Sequence, residues 1–304
     1  MKLVISRKGF DSGCGGVPSP IGPNGELVSL PIDGGSRLRY TDLGSSLGPM
    51  NRLVKDLTGG KFGGSEVAHL DPDLDPGARP RKPGWKAALG QVGAAQSHLE
   101  GQGVGVGDVM LYFGWFRPVV EVDGKWKFKP GAEAIHSLFG YLQIGESLRV
   151  GGRPDTGAIL AERPWLDEHP HVRGMRSDNN TIHVASDELI LDGRRTGLPG
   201  AGHFGTFHPD LRLTAPGAAK SLWQVPEWLC PTTGGTGLSY HGSAERWSVD
   251  AAGNTLLQTV AKGQEFVADC ANHPQALDWI EQRVRTGLGL ETIETPRRRT
   301  GMRR

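Results

Sequence analysis

The stretch from Val104 to Arg117, VGVGDVMLYFGWFR, constrains this chain most. A Gly-Asp turn leads into an apolar and aromatic run that lacks the polar alternation of a strand with one face in water. Such a run is buried on both faces or lines a barrel. It ends on Trp115, Phe116 and Arg117, an aromatic pair beside a cation, a grouping suited to stacking a base and holding a phosphate. Val119 to Phe128 follows as a hairpin centred on Asp123-Gly124. Ile135 to Val150 is a second long strand, with Gly140 and Gly145 suited to bulges or corners.

The sequence holds 46 Gly and 21 Pro in 304 residues, which favours short elements joined by turns over a helical bundle. The expected fold is therefore α+β: a mixed, mostly antiparallel sheet or a small β-barrel with a few flanking helices. Trp85 to Leu99 and Pro274 to Gly287 carry helical spacing. The second has Pro in its first turn, Gly at its end and apolar residues at Ala276, Leu277, Ile280 and Val284. Residues 1–295 read as one globular unit and 296–304 as a disordered basic tail. No apolar run approaches the roughly 20 residues that cross a bilayer. The three apolar residues after Lys2 are too few for a signal peptide, so a cytoplasmic location is expected. Cys14, Cys230 and Cys270 offer neither a disulfide framework nor a zinc ribbon.

The opening residues, MKLVISRKGFDSGCGGVPSP, place Arg7, Lys8, Asp11 and Ser12 where a short strand gives way to glycines. A sheet edge of that kind can aim polar groups at a ligand. Charge is uneven: 16 basic against 13 acidic residues in 1–130, and 13 against 20 in 131–295. A groove tracking a long phosphate backbone needs a broad positive surface, so a compact pocket for one nucleotide is the better expectation. His69, Asp71, Asp73 and Asp75 alternate and share one face if extended, a donor set that suits a divalent metal, although Pro72 and Pro76 equally fit an exposed turn. His169 and His171 flank Pro170, in what reads as a loop. In the predicted helix 85–99, Gln91, Gln96 and His98 form a polar row able to face a ligand.

Several blocks, in order, carry a family likeness: SRKGFDSGCGGVPSP, HLDPDL (69–74), GWKAALGQVGAAQSHL (84–99), GDVMLYFGWFR (107–117), FGYLQIGE (139–146) and HPH (169–171). Together they resemble the nucleotide modification associated domain family, third type, from Met1 to about Asp269. That resemblance implies a companion of phage and bacterial DNA-modification systems and transfers no catalytic residue. Gln96 to Val150 is also similar to the small barrels of the PUA and EVE group, which hold a modified or flipped base in an aromatic pocket.

The leading expectation is a protein that modifies a nucleotide or nucleobase, in DNA rather than RNA, with no membrane partner. Arg7 and Lys8 would hold phosphate, Asp11 would act as acid or base, Ser12 would orient the substrate and His98 would carry a second proton. Trp115, Phe116, Arg117, Gln91 and Gln96 would bind the nucleotide. No cofactor is named and no metal ligand is assigned. The alternatives are a non-catalytic reader of modified bases on Trp115 and Phe116, and a metal-dependent hydrolase using His69, Asp71 and Asp73 with His169 or His171.

Overall fold

The computed structural model describes residues 1–290 apart from 36, 64, 152–155, 174–176 and 262. The predicted basic tail lies outside the described residues.

The apolar run forms the long strand Val109–Val122 at the centre of a nine-stranded sheet. It begins after the Gly105 to Gly107 turn, where Asp108 accepts from the amides of both Gly105 and Lys2 and so ties the first strand to the central one. Lys2–Arg7 runs parallel to its first half and antiparallel to Glu265–Asp269. Ile135–Arg149 pairs with its other edge, followed outward by Thr181–Ala185 and Ala88–Gln91, all antiparallel. The expected mixed, largely antiparallel sheet is thus present. Among the described residues no pairing joins Glu265–Asp269 to Ala88–Gln91, so the sheet stays open and the closed-barrel alternative is set aside.

The Asp123-Gly124 hairpin forms, with both residues at positive φ as its tight turn requires. Ile135–Arg149 shifts register beside Gly140 and Gly145. A Cβ on Gly140 would meet Leu74 at 2.5 Å, and one on Gly145 would meet Ser186 at 2.6 Å, so the strand bends where only glycine fits. Helix Pro274–Gly287 has the predicted bounds and buries Ala276, Ile280 and Val284. Trp223 fills the interior against Phe113 and Phe266.

One element differs from expectation. The stretch 85–99 is an edge strand, Ala88–Gln91, followed by helix Gly93–Gly101. Ala88 and Leu89 pair with Thr181–Ala185 and are buried, Val92 is extended, and Gly93 turns the chain at φ 64° before helical periodicity begins. The residues expected on one helix face are thereby divided between a strand (Gln91) and a helix (Gln96, His98).

Candidate functional site

Two His-x pairs far apart in sequence meet inside the protein. Ala68–His69 is a two-residue strand, and Asp71 follows two residues after it, outside the strand. His169 and His171 sit at the start of the short helix Pro170–Arg173, packed against Ala88–Gln91. All four side chains are buried.

Asp71 is the hub. Its Oδ1 accepts the Gly90 amide at 2.8 Å, and His169 Nε2 lies 3.7 Å from that oxygen. Its Oδ2 faces two imidazoles at once, His171 Nε2 at 3.3 Å and His69 Nε2 at 3.6 Å. The Asn180 amide donates to the His171 carbonyl, which turns its Oδ1 toward His171 Nδ1 at 2.7 Å. Nδ1 therefore carries a hydrogen, and Nε2 faces the carboxylate, as an N–H donor when the ring is protonated and as a lone pair when it is neutral. Burial alone would raise the Asp71 pKa, but hydrogen bonds with His171 and His69, together with the charge of His171, carry it well below the usual range. Burial acts to lower His171, yet the Asp71 carboxylate raises it. His169, whose Nδ1 accepts the His171 amide, is pushed down to about 3 by burial.

A second polar group sits nearby, around Glu265. Lys8 Nζ reaches its Oε1 at 2.9 Å, and the Gln91 amide donates to the same oxygen. The positive charge of Lys8 is felt at both His171 and His183. Gln96 Oε1 lies 3.2 Å from His183 Nε2, and His183 Nδ1 is 2.9 Å from Ser147 Oγ. His98 Nε2 meets Ser239 Oγ at 2.9 Å, and Ser239 in turn donates to the Glu265 carbonyl. Lys8, Gln91, Gln96 and His98 are thus brought into one neighbourhood.

The other residues singled out from the sequence lie elsewhere. Arg7, next to Lys8 on the first strand, donates to the carbonyls of Val260 and Ala261. Asp11 caps the amides of Gly13 and Cys14, and Ser12 is exposed in that turn. Phe116 is fully buried against Phe139, leaving no face for a base. Trp115 is half-buried under Lys220, whose Nζ stands 3.5 Å from the ring centre. Arg117 lies over Phe128 and donates to the Lys129 carbonyl. Asp73 leaves the histidines because Arg81 holds it bidentately at 2.6 and 2.7 Å.

A cleft of about 780 Å³, its open mouth included, has Asp71 in its wall. Val28, Met50, Leu70, Leu74 and Phe139 make it largely apolar, and Ser29, Ser45 and His203 add polar points. No Lys or Arg is among the described lining residues. Such a cleft suits an uncharged ring better than an anionic group.

The family profile for nucleotide modification associated domain 3 matches residues 2–269, which carry every group of this centre. The chain belongs to that family. Membership gives it a role in nucleotide modification and interaction with nucleotides or nucleic acid. No curated protein and no solved structure matches the chain. No described helix is long and apolar enough to cross a membrane.

Within this family member, His183 and Glu265 escaped the sequence reading. Each has a visible signal: a histidine inside the apolar TIHVA and an acid opening the apolar EFVA. A titratable group in a strand that is otherwise all apolar must be buried, and buried groups of this kind gather at functional sites.

Proposed function

We propose that this nucleotide modification associated domain 3 protein is an enzyme that modifies a nucleobase, taking one nucleotide or one flipped base of DNA at a time into the cleft beside Asp71. The observation that carries the reading is the position of Asp71. It belongs at once to the wall of an apolar cleft and to a buried knot of three histidines. A fold needs no such knot for stability, because desolvating these groups costs more than packing apolar ones. A base in the cleft would meet apolar walls and the carboxylate of Asp71, which connects it to the buried histidines, and proton transfer would occur there. Lys8, held with Gln91 on Glu265 and acting by its charge on His171, would contribute to the charge balance there.

The test is mass spectrometry of nucleosides from cells carrying the wild-type gene, no gene, or Asp71→Asn. The expected result is a modified nucleoside present only with the wild type, while the purified variant melts close to it. Identical nucleoside profiles in all three, with the wild-type protein folded and abundant, would overturn the proposal. Tight nucleoside binding by the purified protein without turnover would instead identify a reader of modified bases.

A further inference from the structure

We infer that His69, Asp71 and His171 bind a first-row divalent transition metal of the zinc or iron class. Their donor atoms all lie within 4.8 Å of one another. His171 Nε2 and His69 Nε2 share a single carboxylate oxygen at 3.3 and 3.6 Å, well beyond the usual 2.9 Å or so of an N–H···O bond. Donors of a four-coordinate zinc ion, each about 2.0–2.1 Å from the metal, stand about 3.3 Å from one another. The observed separations fit an ion placed among the three better than direct bonds between them.

Two further observations point the same way. Asn180 fixes a hydrogen of His171 on Nδ1 and turns Nε2 toward Asp71, the arrangement in which an outer amide oxygen orients a metal-binding histidine. His169 Nε2 is buried, has no hydrogen-bond partner and lies 3.7 Å from Asp71 Oδ1. Its Nδ1 accepts the His171 amide, so Nε2 carries a hydrogen. His169 therefore does not ligate through Nε2; it offers a donor to whatever else the ion holds. Two imidazoles and one carboxylate suit zinc, iron or manganese rather than magnesium or calcium, which prefer oxygen donors. Three protein ligands leave positions open, as in sites that act on a substrate.

The site stands whether or not the cleft takes a nucleobase, because its readout is metal content. Full-length protein would be stripped with a chelator, reloaded with Zn²⁺ or Co²⁺, desalted and measured by elemental analysis, with visible absorption for cobalt. The expected result is close to one metal per chain, falling at least tenfold in Asp71→Asn and His171→Asn but not in His208→Asn, which lies at an exposed position. Circular dichroism of each variant, with His69→Gln as a further ligand variant, separates lost metal from lost fold. Folded wild-type protein that retains no metal, or folded ligand variants that retain as much as the wild type, would overturn the assignment.

Discussion

A Cβ placed on Gly90 would stand 2.2 Å from Cγ of the His171 ring. The edge strand thus carries glycine where the ring rests against it, and the same residue gives its amide to Asp71. Gly90→Ala should push the ring out of line with the carboxylate. Its stability cost is that of overpacking, about 1–3 kcal/mol. Function should suffer more: nucleoside turnover is expected to fall at least tenfold at a temperature where denaturant titration still shows a folded protein. Full activity in a folded Gly90→Ala variant would mean that the position of His171 is not required.

The Lys8–Glu265 pair makes a different demand. Both side chains are nearly inaccessible, and Gln91 adds a donor to the same oxygen. Removing one partner strands a buried charge, so Lys8→Met should cost about 3–5 kcal/mol in chemical denaturation. Lys8→Met combined with Glu265→Leu should recover much of that loss, because the desolvation cost disappears with the second charge. Equal destabilisation by the single and double variants would show that the two charges do not depend on each other.

Phe116 and Trp115, adjacent in sequence, should respond oppositely to truncation. Phe116 packs in the core, so Phe116→Ala is expected to cost about 3–5 kcal/mol of stability through transfer and cavity terms. Trp115 shares its ring with Lys220 and is half-buried, so Trp115→Ala should cost about 1–2 kcal/mol, much of it the lost cation–π contact. A large loss from Trp115 and a small one from Phe116 in thermal or denaturant melts would contradict this packing.

Periodicity made the frame legible and left the centre illegible. The central strand, the Asp123-Gly124 hairpin and helix Pro274–Gly287 each declare themselves within their own residues. The stretch 85–99 misled because Ala, Leu and Gln at helical spacing satisfy an edge strand equally well, and only the positive φ of Gly93 separates strand from helix. The site was visible as two fragments, His69 with Asp71 and His169 with His171. Their meeting depends on sheet order: Thr181–Ala185 must lie between Ile135–Arg149 and Ala88–Gln91 before the second fragment can reach the first. No local pattern encodes that order. Asp73 looked equivalent to Asp71 because the arginine that claims it lies eight residues further on, across a turn.

His136 gives the protein a pH dependence that is independent of the proposed site. The ring is buried in contact with Phe113 and Trp223, and its Nδ1 accepts the Trp223 indole hydrogen at 3.0 Å. Burial, with Arg7 and Lys220 adding positive charge, lowers its pKa from 6.5 to about 3. Between those values the unfolded chain binds a proton that the folded chain refuses. Its effect is absent above pH 6.5, and stability is lost as pH falls from there toward 3. At pH 5 this one group removes on the order of 2 kcal/mol. His169 and His183 are lowered too, to about 3 and about 4, so the wild-type curve alone cannot isolate His136. His136→Asn keeps an acceptor for Trp223 but does not titrate. The variant should be less stable than the wild type at pH 7, and the gap measured by urea denaturation should narrow by about 2 kcal/mol at pH 5. A gap that stays constant between pH 7 and pH 5 would mean that His136 takes up its proton in the folded protein as readily as in the unfolded chain.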